Sequence, residues 1–293
     1  MDAEPPDARR ARAVTPMPRI DFARPRGAPA LFAADSVSWR VYKNPVTLFI
    51  GGVAAVLLEL AEPRVRSGVW GHSIFPTDPM TRIRRTGFVT NVTLYAPATV
   101  ARQVIRGVVR MHDRVEGMTP GGLRYAANDP VLLDWVQATA SYGFIEAYAA
   151  YAHRLTPAER DQAYAESQVA AELFGAVGAP RSAAECAAQF EAMRPGLEPH
   201  PIVDEFLQIM TARIGPPGPL RPLQRLLVRA GVELLPDWLI ERLELGAAWR
   251  LGDRQRRAVR ALGAIADRVP LPGTPAYRAA RRVGLPIARL YRR

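Results

Sequence analysis

The residue whose setting most clearly suggests chemistry is His112. The chain has four histidines and one cysteine, so few side chains could hold a transition metal. His112 continues an apolar stripe of Ala101, Ile105 and Val108, which recur at helical spacing. An imidazole on the apolar face of a helix suits an axial ligand of haem iron. A core histidine that bonds a backbone carbonyl has the same spacing, so this pattern leaves both interpretations open.

A polar pair precedes His112 in the chain. Arg82 and Thr86 are four residues apart in a predicted helix, so their side chains share one face. An arginine guanidinium keeps its proton at any working pH and is a permanent donor. The pair could therefore bind a carboxylate, such as a haem propionate, or an ordered water. An ordinary surface pair has the same spacing.

Few other residues suggest chemistry. Glu59 lies deep in an apolar run, where a buried acid could act as a base, although a hydrogen-bonded or partly solvated acid is the ordinary interpretation. His72 is the next candidate ligand after His112, and a structural hydrogen bond is its simpler role. His153 and His200 lie at predicted helix ends. The sequence has no dinucleotide-binding, Walker, Gly-x-Ser-x-Gly or His-Glu-x-x-His motif.

An ordered set of fragments carries a family resemblance from about Ser38 to about Ser182. The fragments are Gly51-Gly52 with the apolar run to Pro63, Gly68-Val69-Trp70-Gly71-His72, Asp78-Pro79, Arg82 to Thr86, the segment around His112, and Asn128-Asp129-Pro130. In this region the chain resembles the oxygenase family that includes bacterial rubber oxygenase (latex clearing protein) and the membrane-bound oxygenase of mycophenolic acid biosynthesis.

The resemblance implies a fold, a cofactor and a reaction. It implies an all-α protein with a globin-like core, haem b as the iron-containing cofactor, and oxidative cleavage of a carbon–carbon double bond in a hydrophobic, isoprenoid-like or polyprenoid substrate by dioxygen. The family's axial histidine maps onto His112, and its Arg-xxx-Thr pair maps onto Arg82 and Thr86. We therefore expect a haem-dependent oxygenase with His112 as the metal ligand and Arg82, Thr86 and Glu59 as catalytic candidates.

Three positions depart from the family pattern. Val53 stands where the family usually has arginine, and Glu62 and Gln137 stand where it usually has histidines. The ligand position is intact, but residues expected on the distal side have changed. Two alternatives therefore stay open: a non-catalytic haem- or lipid-binding protein, and a haem-dependent peroxidase or hydroxylase.

Composition limits the class of protein. A chain of 293 residues that is 48% hydrophobic can bury a sizeable core. The single cysteine, Cys186, excludes a disulfide framework or a cysteine-based zinc or iron–sulfur site within one chain. We expect a cytoplasmic protein, since residues 1–27 lack the apolar segment of a signal peptide. The most apolar stretch, Val46 to Ala61, is shorter than the roughly 20 residues of a membrane span.

Positive charge is concentrated at the C-terminal end. Residues 250–293 contain twelve arginines and two aspartates, which account for +10 of the net charge of +11. No nucleic-acid-binding motif accompanies this charge, so we expect no nucleic-acid partner. An arginine-rich surface can contact an anionic membrane, and a solvated helical surface is the alternative. The arginines predicted to contact the membrane are Arg256, Arg260, Arg278, Arg281, Arg282, Arg289, Arg292 and Arg293.

Helical periodicity and proline-initiated starts predict one all-α, multi-helix domain over residues 28–293. Residues 1–27 are predicted to be a disordered arm, residues 117–128 a loop, and residues 220–293 a basic helical extension of the same domain. The best internal boundary is the Pro/Gly-rich stretch 214–219. Predicted helices begin at Pro45, Pro79, Pro97, Pro130, Pro157, Ala183, Pro201, Leu220, Pro236, Asp253 and Pro275.

Overall fold

The computed structural model describes residues 17–212, 214 and 221–291. The described part is all-α apart from one small hairpin, which confirms the predicted fold class. Its α-helices are α1 Val37–Tyr42, α2 Pro45–Ala61, α3 Pro63–His72, α4 Pro79–Tyr95, α5 Ala98–His112, α6 Pro130–Tyr151, α7 Pro157–Phe174, α8 Ala183–Met193, α9 Pro201–Ala212, α10 Arg221–Glu233, α11 Asp237–Arg242, α12 Asp253–Arg268, α13 Pro275–Arg282 and α14 Ile287–Tyr291.

Seven of the fourteen α-helices in the described residues begin where a polar residue precedes a proline. Asn44 caps α2 by accepting from the amides of Val46 and Thr47 at 3.1 and 3.2 Å. At the start of α7, Thr156 and Glu159 cap each other's backbone, which confirms the predicted capping box. The proline fixes a helical φ where no amide donor is needed, so the sequence places these starts without help from tertiary contacts.

The centre of the fold is the crossing of α2 and α6, where Gly51 and Gly143 meet. A Cβ atom on Gly51 would lie 2.6 Å from the carbonyl oxygen of Gly143, and one on Gly143 would lie 2.5 Å from that of Gly51. No side chain fits at either position. The close approach allows residues such as Leu57, Leu58 and Trp135 to pack around it without solvent exposure.

The segment between α5 and α6 differs from the predicted loop. Residues Glu116–Met118 (β1) and Arg124–Ala126 (β2) form an antiparallel hairpin in which Met118 faces Arg124. Strands of three residues are too short to show an alternating pattern, so the sequence did not reveal them. The inner face of the hairpin is held by Tyr125, whose ring packs against Gly68 of α3 and against Gly117.

Both ends of the described chain pack on the core. Arg282 is buried and donates to the carbonyl oxygens of Phe22 and Ala28 at 2.8 and 2.9 Å. The prediction of a disordered arm is therefore wrong for residues 17–27, because a distant helix binds them, and residues 1–16 lie outside the described residues. The prediction that Arg282 contacts a membrane is also wrong, because its side chain is enclosed.

The basic extension packs against the start of α2 and the end of α6. Asn44 donates to the carbonyl oxygen of Gly263 at 2.9 Å, and Lys43 forms an ion pair with Asp267. Ile214 is buried, whereas the rest of the predicted Pro/Gly-rich boundary, residues 215–219, lies outside the described residues, as do Arg292 and Arg293.

Within the described ranges, no helix taken alone has the length and apolar composition to cross a membrane. The helices α2 and α3 meet these criteria only as a pair, and the chain bends by 111° between them.

Candidate functional site

Arg82 and Thr86 lie on one face of α4 and bond to each other, as their spacing predicts. The Arg82 guanidinium donates to the Thr86 hydroxyl, which itself donates to the Arg82 carbonyl oxygen at 3.0 Å. The Nε atom of Arg82 also donates to Ser73 at 3.2 Å. The guanidinium is therefore held in place from two sides. Burial lowers the pKa of Arg82 and the nearby carboxylate of Glu59 raises it.

Glu59 on α2 is the acid of the site. Burial raises the pKa of its carboxyl group to about 7, although the positive charge of Arg82 and a hydrogen bond with Thr139 both act to lower it. Its side chain keeps some accessible surface. A carboxyl group with a pKa close to neutral pH can both release and accept a proton, which is what a general acid or base needs.

His112 ends α5, and its ring is half-buried. Its Nδ1 atom is buried without a hydrogen-bond partner. Burial lowers the pKa of His112, and the charge of Arg82 lowers it further, while Asn128 and Asp113 raise it. The ring therefore stays neutral at physiological pH, as a metal ligand must. Because Arg82 shifts the pKa of both Glu59 and His112, the site joins α2, α4 and α5.

Asn128 is a neighbour of His112 whose role could not be predicted from the sequence. Its amide nitrogen donates to the Val109 carbonyl oxygen at 3.1 Å and to Asp113 at 2.6 Å, which ties the start of α6 to the end of α5. Its Oδ1 atom is buried without a partner. The only sequence signal for this residue was its place directly before the Asp129-Pro130 helix start.

A cavity of about 120 Å³ opens further along the same face of α4. It begins at Thr90, whose hydroxyl donates to the Thr86 carbonyl oxygen at 3.0 Å. Helices α1, α6 and α7 supply the other walls, which include the rings of Tyr42 and Phe144 and the amide of Gln137. A separate cavity of about 130 Å³ beside Arg40 and Arg289 contains none of the site residues.

The other positions singled out in the sequence have structural roles. Glu62 caps α3, because its carboxylate accepts from the Val65 amide and from Arg64, each at 2.7 Å. Glu62 therefore stabilises the start of α3. The ring of His72 bonds the Tyr125 hydroxyl at 3.1 Å, and His200 accepts from the Ile202 amide at 3.2 Å.

The residues present fit a haem. No group of three or more His, Cys, Asp or Glu side chains in the described part of the chain could hold a metal ion. The buried Nδ1 atom of His112 lies near Asn128 and can donate to it, which leaves the other ring nitrogen for iron, and Arg82 offers a cation for a propionate. Gly87 beside Thr86 and Gly107 on α5 both have open space where a side chain would stand. Helix interiors rarely keep glycine without such a need.

Comparison with known protein families gives a match over most of the chain. The model described as "ER-bound oxygenase mpaB/B'/Rubber oxygenase, catalytic domain" matches residues 39–268. The match begins where the sequence resemblance began and runs well beyond Ser182, into the basic extension. A comparison with curated proteins and another with solved structures found no match.

Proposed function

The chain belongs to the mpaB/rubber oxygenase catalytic-domain family, and we propose that it is a haem b-dependent oxygenase that acts on a hydrophobic, isoprenoid-like substrate. Membership of this family supports an oxygenase activity and therefore places the protein among the oxidoreductases. The haem, the globin-like arrangement around it and the class of substrate are our proposals. The observation that carries them is the half-buried ring of His112, whose buried Nδ1 atom can be oriented by Asn128 so that its other nitrogen can ligate, in a site that also holds the Arg82 cation.

In this proposal His112 would ligate the iron of haem b. Haem held there would supply a redox-active iron that can bind dioxygen. The low pKa of His112 keeps its ring neutral and able to ligate. Arg82 pairs with a propionate, and Thr86 fixes the direction of the guanidinium through their mutual hydrogen bonds.

Glu59 is the proposed proton carrier. Cleavage of a carbon–carbon double bond into two carbonyl groups takes both oxygen atoms from dioxygen and needs no external reductant. A base that takes an allylic proton from the substrate and returns it leaves this balance unchanged. With a pKa of about 7, Glu59 can take and return a proton near neutral pH. Arg82 favours its ionised form, which is the form that accepts the proton.

The cavity beyond Thr86 is the proposed place of the substrate. Its walls are largely apolar, with the rings of Tyr42 and Phe144 4.9 Å apart at one side. Burial of apolar surface is the main source of affinity for an isoprenoid chain. Gln137 lines the cavity and bonds Ser141 at 3.2 Å, so this wall carries an amide rather than the family's usual imidazole.

The change to Gln137 also favours a second candidate. A non-catalytic site that binds haem and lipid would tolerate the loss of a distal imidazole. Peroxidase or hydroxylase chemistry is the other alternative, and it would use the same residues to form a different product.

Contact with a membrane is a further part of the proposal. A polyprenoid substrate dissolves in lipid, so a cytoplasmic protein needs peripheral contact with an anionic membrane to reach it. In the basic extension, Arg278, Arg281 and Arg289 are exposed, whereas Arg256 pairs with Glu233 and Asp253.

The test begins with the visible spectrum of the purified protein after haem reconstitution. We expect a Soret band, and its absence at stoichiometric haem would overturn the haem proposal. Oxygen uptake with short isoprenoids then separates the candidates. Consumption with carbonyl products supports cleavage, hydroxylated products support a hydroxylase, peroxide-dependent turnover supports a peroxidase, and haem binding without turnover supports a carrier.

A further inference from the structure

Exposed apolar side chains are concentrated at the end of the molecule where His112 lies. Met111, Met118, Leu123 and Val131 are between 52% and 61% exposed. They fall within one short segment, whereas most other large apolar residues of the described chain are buried. A second group, formed by Ile265, Val269 and Leu271, is exposed in the basic extension.

Backbone hydrogen bonds hold the first group together as one surface. The Val115 amide donates to the His112 carbonyl oxygen at 2.9 Å, so β1 begins directly after the ligand candidate. The Thr119 amide donates to the Leu123 carbonyl oxygen at 2.8 Å and closes the hairpin. Through Asn128, the start of α6 is bonded to the end of α5. We call the end formed by Met111, Met118, Leu123 and Val131 the hairpin tip.

Exposed arginines lie along α5, which leads to the hairpin tip, and in the hairpin segment itself. Arg102, Arg106 and Arg110 are exposed at a four-residue spacing along α5, which places them on one helical face. Arg114 and Arg124 are also exposed, and the Arg124 side chain is 80% exposed. The nearby acids are engaged, since Glu116 faces Arg124 at 3.5 Å and Asp113 accepts from Asn128. An apolar tip in a cationic border matches the acyl region and phosphates of an anionic bilayer.

The hairpin tip and the basic extension lie at opposite ends of α6. Val131 is in the first turn of this helix, whereas Arg260 bonds the carbonyl oxygen of Ala150 near its last turn, at 3.2 Å. At 1.5 Å per residue, these ends are roughly 30 Å apart. Contact through the hairpin tip would bring the His112 end to the lipid. Contact through the basic extension would hold the His112 end away from the lipid.

We propose that the hairpin tip docks on anionic phospholipid surfaces, with Met118 and Leu123 entering the acyl region and the α5 arginines binding the phosphates. Docking through the hairpin tip deepens the membrane contact of the proposed function, because it names the surface that makes this contact. Docking itself does not depend on haem or turnover, and only its purpose, access to a lipid-dissolved substrate, rests on the proposed oxygenase activity.

The test is co-sedimentation of the full chain with phosphatidylcholine vesicles that contain or lack phosphatidylglycerol. A variant with Met111→Ser, Met118→Ser and Leu123→Ser is compared with a matched variant carrying Ile265→Ser, Val269→Ser and Leu271→Ser. We expect wild type and the matched variant to bind anionic vesicles at low salt, and the hairpin variant to bind at least tenfold more weakly. Equal binding by both variants, a loss confined to the matched variant, or no binding by wild type would overturn the proposal.

A second measurement reports insertion without a loss of function. Leu123→Cys and Leu271→Cys are each labelled with an environment-sensitive fluorophore. The native Cys186 is buried, and burial raises the pKa of its thiol to about 11, so the label goes to the introduced site. We expect anionic vesicles to shift the emission to the blue at position 123 and not at 271. The reverse pattern, or no shift at 123, would contradict docking through the hairpin tip. Because neither test needs haem, failure here leaves the proposed haem binding and oxygenase activity standing.

Discussion

The Nδ1 atom of His112 and the Oδ1 atom of Asn128 are both buried, and neither has a hydrogen-bond partner. One is a potential donor and the other an acceptor, and the amide of Asn128 lies close enough to raise the pKa of His112. A small rotation of the ring would pair them. Such a bond fixes the tautomer of a ligating histidine and increases its basicity.

Asn128→Ala is therefore expected to weaken haem binding by about 10- to 100-fold, and Asn128→Asp, which keeps an acceptor, to restore part of it. Titration of haem by Soret absorbance measures the affinity, and the iron–histidine stretching band measures the ligand bond. Asp113→Ala is the control, since it removes the bond to Asn128 without removing the acceptor. An equal loss of haem affinity in all three variants would show that Asn128 acts only by holding the start of α6 against the end of α5.

Replacement of His112 by alanine should abolish haem binding, because it removes the proposed bond between protein and iron. His72→Ala is the matched control, since that ring bonds Tyr125 instead. Added imidazole should restore a Soret band to a His112→Gly variant. A normal spectrum for His112→Ala, or its loss in His72→Ala, would move the ligand to another residue.

Arg82→Ala and Thr86→Ala should weaken haem retention and activity while leaving the fold intact. Each variant removes hydrogen bonds on a partly exposed helix face, so the free energy of unfolding should fall by about 1 kcal/mol. Because the two side chains bond each other, their effects on haem dissociation should be non-additive in a double-mutant cycle. Additive effects would mean that the two residues act separately.

Glu59 should make stability depend on pH. Its pKa is about 7 in the folded protein and 4.5 for an ordinary glutamate, so the folded state holds the proton more tightly. The contribution of protonated Glu59 to the free energy of unfolding is fully present below pH 4.5 and is lost as the pH rises through 7. Relative to Glu59→Gln, we expect the free energy of unfolding of the haem-free wild type to fall by about 2–3 kcal/mol between pH 4.5 and pH 7. This value allows for the partial exposure of Glu59. Denaturant unfolding from pH 4 to 8 measures the difference, and parallel curves would contradict the raised pKa.

The glycine crossing offers a test of packing. Gly51→Ala should lower the free energy of unfolding by about 1–3 kcal/mol or more, since its Cβ would overlap the backbone of Gly143. Gly87→Ala should raise the free energy of unfolding of the haem-free protein by about 0.5–1 kcal/mol, because its Cβ meets nothing within 4 Å. Denaturant unfolding of the two variants and the wild type measures both changes in the free energy of unfolding. Similar effects of the two substitutions would contradict this account of the crossing.

The sequence by itself determined the helical elements and the local part of the site. Helices begin at Pro45, Pro79 and Pro130 because each follows a polar cap, and both features act within a few residues. Arg82 and Thr86 share a face because helical geometry fixes the i, i+4 relationship. The family could also be recognised from ordered short fragments, although the match extends beyond the predicted end at Ser182.

Only the tertiary structure decided what depends on contacts between distant segments. The pKa of Glu59 is set by burial and by Arg82 on another helix, and the neighbour of His112 proved to be Asn128. Arg282 is enclosed by residues 22–28, although its charge predicted exposure. The hairpin and the packing of residues 17–27 on the core could not be predicted from the sequence for the same reason. Burial and long-range hydrogen bonds depend on how helices pack, and the periodicity of one segment carries no information about its partners.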